Sequence, residues 1–197
     1  WLKAVEPATL ESPECAPSRC TARAMSALAA YAGCALALVL SASALDVDAS
    51  KHGLPFLDFT LPGSDGATYT LDMLIHEDHS TAAKLLLWWF PRANTPGCTM
   101  EGKRFKELHD FYVHHGVQIV GASADPQPEN KAFSDEHEFN FPLLSDTEQT
   151  IPKSLGLSGG RWAVLVGKNK KIEKFWPEVT PMDFPDEALS FLQKSEL

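Results

Sequence analysis

Residues 84–90 read Lys-Leu-Leu-Leu-Trp-Trp-Phe, an apolar run that stops abruptly at Pro91. No other feature constrains the fold as tightly. A half-exposed strand alternates polar and apolar residues, whereas a run without alternation has to be covered on both faces. The chain must therefore supply layers above and below this strand. Val117 to Ser123 (VQIVGAS) is a second core strand, and between the two a helix is predicted over Pro96 to His115, closed by Gly116. Its apolar stripe is expected at Phe105, Leu108, Phe111 and Tyr112. A second amphipathic helix is expected over Pro126 to Phe139. Phe141-Pro142-Leu143-Leu144 then leads to a short helix near Glu148–Leu155. Trp162 to Val166 and Lys171 to Phe175 pair around Gly167-Lys168-Asn169-Lys170, and Phe184 to Gln193 forms a closing helix. Upstream, Phe59-Thr60-Leu61 and Tyr69-Thr70-Leu71 flank the turn Gly63-Ser64-Asp65-Gly66 as an N-terminal β-hairpin. Strands alternating with helices define an α/β domain with a central mixed sheet flanked by helices.

Charge and cysteine usage narrow the function classes. Lys and Arg total 17 against 26 Asp and Glu, so there is no basic footprint for nucleic acid. Residues 24–45 carry no charge, follow Arg19 and Arg23, and end near Ala42-Ser43-Ala44, the small-x-small pattern of a signal-peptidase site. The expected organisation is a leader over 1–44, with Met25 as its candidate start because Trp1 cannot initiate, and one domain over 45–197. An uncleaved membrane anchor is the alternative for the apolar run. Three basic and three acidic residues leave with the leader, so the net charge of −9 is unchanged. Cys15, Cys20 and Cys34 leave as well, and Cys98 remains the domain's one cysteine. Stabilising disulfides need pairs, so an odd thiol in an oxidising compartment asks for a chemical explanation.

Cys98 lies where the buried strand gives way to the helix. Thr95 suits the N-cap and Pro96 the first helical position, which puts Cys98 in the first turn. Unpaired N–H groups and the helix dipole favour an anion there, and the thiolate is the nucleophilic form of cysteine. Making it the dominant form at neutral pH takes about 3.4 kcal/mol, more than a helix end supplies, so a cation should assist. A thioredoxin-type exchange site is excluded because Thr95 stands where C-x-x-C needs its first cysteine. His109, His114 and His115 lack the second cysteine or the H-x-x-x-H spacing of a metal centre, so no metal is expected.

Pro91, Thr95 and Cys98 form P-x-x-x-T-x-x-C, which resembles the active-site signature of peroxiredoxins, thiol peroxidases of thioredoxin-like fold. FPRANTPGCTMEGKRF (90–105), FPLLSDTEQTIPKSLGL (141–157) and GRWAVLVGKNKKI (160–172) are similar to segments of the Q-type, or bacterioferritin-comigratory, subfamily. The resemblance spans about residues 50–193 and implies reduction of hydrogen peroxide and organic hydroperoxides with no cofactor. It implies that Cys98 is the peroxidatic cysteine, which becomes a sulfenic acid. Thr95 matches the threonine that hydrogen-bonds peroxide and thiolate, Pro91 the proline that shields the thiolate, and Arg161 the arginine that supplies the cation. Glu101 matches a common glutamate, read here as dipole compensation in a first turn and a supporting residue at best.

Two positions depart from the subfamily pattern. Lys103 stands where many Q-type members carry a resolving cysteine, so the domain resembles the one-cysteine variants and needs an outside thiol from thioredoxin, glutaredoxin or glutathione. After Arg161 the strand reads Trp-Ala-Val instead of a threonine or valine followed by an aromatic. The resemblance favours a monomer or weak dimer. A non-enzymatic thioredoxin-fold chaperone or redox-sensing module is the competing reading. The leader implies the secretory pathway, and Lys194-Ser195-Glu196-Leu197 resembles a K-D-E-L retrieval signal, so an ER-luminal or secreted location is expected, with the plastid as the alternative.

Overall fold

The computed structural model describes residues 51–75 and 83–195. The leader and its cleavage site lie outside the described residues, as do Glu196 and Leu197 of the retrieval-like terminus.

Five strands build the central sheet: β3 (Lys84–Trp89), β4 (Val117–Ser123), β5 (Leu143–Ser145), β6 (Trp162–Val166) and β7 (Ile172–Trp176). Their order is β5-β4-β3-β6-β7, with β3 at the centre. Pairs β3–β4 and β4–β5 are parallel, whereas β3–β6 and β6–β7 are antiparallel, so the sheet is mixed. The apolar run of β3 behaves as its composition requires. Leu86, Trp88 and Phe90 enter one core and Leu85, Leu87 and Trp89 the other. Burying both faces of one strand fixes it as the centre of a three-layer domain.

The first core is closed by α2 (Pro96–His114), α3 (Gln127–His137) and α5 (Phe184–Ser195), through Phe105, Leu108, Tyr112, Phe133, Phe184, Ala188 and Leu192 among others. The second is closed by Phe56 and Phe59, by α1 (Leu71–Leu74), and by α4 (Thr150–Ser154). The N-terminal hairpin is present as β1 (Thr60–Pro62) and β2 (Thr68–Thr70), with Gly66 at φ 88° in its turn. It forms a sheet of its own and docks against β5, where Ser64 N–H donates to the Leu143 carbonyl (2.8 Å) and Leu143 N–H to Ser64 Oγ (3.1 Å). That docking explains why Leu143–Ser145 is a strand, where the sequence shows only a lead into a helix. α3 is shorter at both ends than the spacing predicts, because Pro126 is extended at its N-cap and Glu138 takes a left-handed conformation (φ 52°) at its C-cap.

One helix face needs correction. The predicted stripe on α2 included Phe111, which is 56% exposed. The buried face is Cys98, Glu101, Gly102, Phe105, Leu108 and Tyr112. This set follows the three-and-four spacing of a single stripe and carries the cysteine and the glutamate along with the aromatic core.

Candidate active site

The site forms where the C-terminal end of β3 passes through the loop 91–95 into α2. The loop leaves the sheet at Phe90, whose N–H donates to the Ala122 carbonyl (3.0 Å), and turns at Asn94, which sits at φ 55°. Thr95 occupies the N-cap position in extended conformation and Pro96 begins the helix. The expected side-chain cap does not form. Thr95 Oγ1 instead lies 2.9 Å from Cys98 Sγ and 3.1 Å from the Arg92 carbonyl. A hydroxyl has one hydrogen to give. With Cys98 as a thiol, S–H can donate to Oγ1 while the hydroxyl donates to Arg92. With Cys98 as a thiolate, the hydroxyl turns its hydrogen to the sulfur. The first helical bond runs from Thr99 N–H to the Thr95 carbonyl (2.9 Å), which leaves the N–H groups of Gly97 and Cys98 outside the helical ladder, at the positive end of the dipole.

Cys98 is fully buried and unbridged. A buried anion is tolerated only when fixed donors replace its water. Arg161 supplies one of them, with Nη2 3.2 Å from Sγ, while Nη1 donates to Glu101 Oε2. Arg161 precedes β6, and the alternation of that strand turns it toward the α2 face, since Trp162 and Val164 enter the second core and Ala163 and Leu165 the first. The departure at Trp162 does not loosen this anchor. Its indole stacks on Trp89, centroids 5.5 Å apart and planes at 6°, while the Arg161 carbonyl accepts from Val179 N–H (3.2 Å).

Glu101 is more central than the sequence reading allowed. It sits in the second turn of α2 and not the first, its side chain is fully buried, and its partner is Arg161. Burial pushes its carboxyl up from 4.5 to about 7, against the opposing pull of the Arg161 charge and hydrogen bond. Oε1 has no protein partner. One guanidinium thus serves two acidic groups, the carboxyl and the thiol. The signal was legible in spacing, because Glu101 falls three residues after Cys98 and four before Phe105, on the buried stripe. Pro91 is exposed at the start of the loop and takes its place by chain position, without a bond to Cys98. Lys103 points to solvent.

The structure therefore brings Thr95, Cys98, Arg161 and Glu101 together around one sulfur. Fold and site define a cysteine-dependent peroxidase on a thioredoxin-like scaffold. Residues 52–175 match the AhpC/TSA family, and the chain belongs to it. Peroxiredoxin bcp1 of Schizosaccharomyces pombe is 31% identical over 147 residues, covering 71% of this chain and 72% of that protein. The chloroplastic peroxiredoxin Q of Triticum aestivum is 29% identical over 119 residues, 60% of this chain and 52% of its own length. Among solved structures, peroxidoxin BcpB from Mycobacterium tuberculosis superposes with a TM-score of 0.66 at 27% identity, covering 73% of this chain and 97% of that one. Peroxiredoxin Q of Xanthomonas campestris superposes with a TM-score of 0.62 at 25% identity, over 69% and 90% of the two chains. The chain is a peroxiredoxin of the Q/bcp kind, a thiol peroxidase that acts on peroxides and is reduced by thiol proteins.

Proposed function

We propose that Cys98 is the peroxidatic nucleophile of a one-cysteine enzyme. The carrying observation is the buried Cys98 sulfur held between Thr95 Oγ1 at 2.9 Å and Arg161 Nη2 at 3.2 Å. The thiolate attacks one peroxide oxygen. A sulfur–oxygen bond forms as the O–O bond breaks, Cys98 becomes a sulfenic acid, and the departing alkoxide or hydroxide takes up a proton to leave as alcohol or water. Arg161 favours the thiolate before attack and the negative charge that grows on the leaving oxygen during it. Thr95 turns its one hydrogen between the sulfur and the Arg92 carbonyl as the charge on sulfur changes. Pro91, matched by the resemblance to the proline that shields the thiolate, begins the loop that leads from β3 to Thr95.

Among the described residues Cys98 is the one free cysteine, and Lys103 occupies the subfamily's resolving position. An outside thiol then condenses with the sulfenic acid, releasing water and leaving a mixed disulfide, and a second thiol frees Cys98. Thioredoxin, glutaredoxin and glutathione are the candidate donors. The working unit is a monomer or weak dimer within the secretory pathway, luminal or secreted. The test is Cys98→Ser in a peroxide-consumption assay with a dithiol reductant. Turnover is expected to vanish while the circular dichroism of the fold is kept, since serine is nearly isosteric and stays protonated. Undiminished turnover would overturn the assignment of Cys98, whereas a parent protein that consumes no peroxide would favour the chaperone or redox-sensing reading of the fold.

A further inference from the structure

A buried polar network runs under the active-site loop from the far edge of the sheet. Asn130 of α3 is fully buried. Its Nδ2 donates to Ser145 Oγ on β5 (2.9 Å) and to the Leu144 carbonyl (3.2 Å). Ser123, the last residue of β4 and also fully buried, places its hydroxyl 3.1 Å from Asn130 Oδ1 and 3.1 Å from Asp125 Oδ2. The same oxygen accepts from Asp125 N–H (3.2 Å), which folds the Asp125 side chain back over the end of β4. From there Asp125 Oδ2 reaches across to the loop and accepts from Ala93 N–H at 2.7 Å. Ala93 lies two residues before Thr95, between the exposed Pro91–Arg92 step and the left-handed Asn94.

We propose that Asp125 is a positioning residue for the peroxidatic site, the clamp that sets where Thr95 stands relative to Cys98. The assignment rests on the reading of Cys98 as the nucleophile. The loop is tied to the sheet at Phe90 and re-enters regular structure at Pro96. Between them the Asp125 bond is the long-range tether, 32 residues distant in sequence. An ionised carboxylate accepting a backbone N–H makes a stronger bond than a neutral acceptor does. The Ser123–Asn130–Ser145 chain fixes that carboxylate from behind, so the position of the loop is referred to β4, α3 and β5 together. Without the clamp, Ala93 turns to water, and the loop can displace the Thr95 hydroxyl from its 2.9 Å contact with sulfur. Displacements of about 1 Å near a reacting atom can cost on the order of a hundredfold in rate.

The experiment compares Asp125→Ala and Asp125→Asn with the parent protein. Two rates are read on Cys98 in single-turnover mode: oxidation by hydrogen peroxide, and alkylation by iodoacetamide at matched thiolate fraction. Asp125→Ala is expected to lose roughly 10- to 100-fold in peroxide rate. Its alkylation rate should stay level or rise, because alkylation needs a thiolate but no aligned Thr95. Asp125→Asn keeps an oxygen for Ala93 and is expected to recover most of the peroxide rate. Should Asp125→Ala fail to fold, Asp125→Ser, too short to reach Ala93, is read in its place. Equal losses in both reactions, or a peroxide rate unchanged in the shortened variants, would overturn the clamp. Peroxide turnover that survives Cys98→Ser would instead overturn the underlying reading, whatever Asp125 does.

Discussion

At the scale of single residues, the site is one cation shared by two acids. Glu101 Oε2 and Cys98 Sγ both draw on the Arg161 guanidinium, so negative charge on one weakens the hold on the other. The Glu101 carboxyl, raised from 4.5 to about 7, also sets a stability slope. In that interval the folded chain holds a proton that the unfolded chain has lost, so this group's contribution is complete at acid pH and fades as pH rises toward 7. Glu101→Gln should remove that slope. Between about pH 5 and pH 8 the melting temperature of the parent should fall relative to the variant, as followed by circular dichroism. A parallel pH dependence of the two melting temperatures would contradict the shared-cation account. The sequence made Cys98 and Thr95 legible because their spacing with Pro91 is a motif, and Arg161 legible only through the resemblance carried by residues 160–172. It undervalued Glu101, because a carboxylate near a helix start has a surface explanation whose failure shows only when both neighbours on the stripe are seen to be buried. Asp125 was not legible at all, since its partner is a backbone N–H supplied by a distant loop.

At the scale of elements, the long apolar strand and the helix after it were readable because burial on two faces and a helical stripe leave periodic marks. The errors fall where tertiary contacts decide. Leu143–Ser145 is a strand because the hairpin and β4 pair with it on its two sides. Phe111 is exposed although its type suits a core. The contact of β4 with its neighbours depends on one residue lacking a side chain. A Cβ on Gly121 would lie 2.5 Å from Leu143 Cδ2 and 3.1 Å from the Trp88 ring, deep in the first core. Trp88 packs there against Phe90 and Phe105, with centroids at 4.9 and 5.3 Å, and has little freedom to yield. Gly121→Ala should therefore destabilise the domain by about 1–3 kcal/mol through overpacking, measured by urea unfolding. An unchanged midpoint would mean that this layer is looser than its contacts indicate.

At the scale of the whole molecule, the proposed location and recycling are tested at the two ends of the chain and at its lone thiol after residue 45. A reporter placed just after Asp46 leaves the terminus Lys194 to Leu197 uncovered. It should enter the secretory pathway and be retained there, and deletion of residues 194–197 should release it to the medium. Cytosolic fluorescence would contradict the leader, and secretion unaffected by the deletion would contradict retrieval alone. A single thiol in residues 45–197 also limits what oxidation can produce. No internal bridge can intercept the sulfenic acid, so excess peroxide should drive Cys98 on to the sulfinic acid. The most direct test of the whole account is mass spectrometry of residues 45–197 after one equivalent of hydrogen peroxide in the presence of dimedone. One dimedone adduct per chain, located on Cys98 and absent from Cys98→Ser, is the expected result. An oxidised chain with no adduct on Cys98, or one with an internal loss of two hydrogens at that residue, would contradict it.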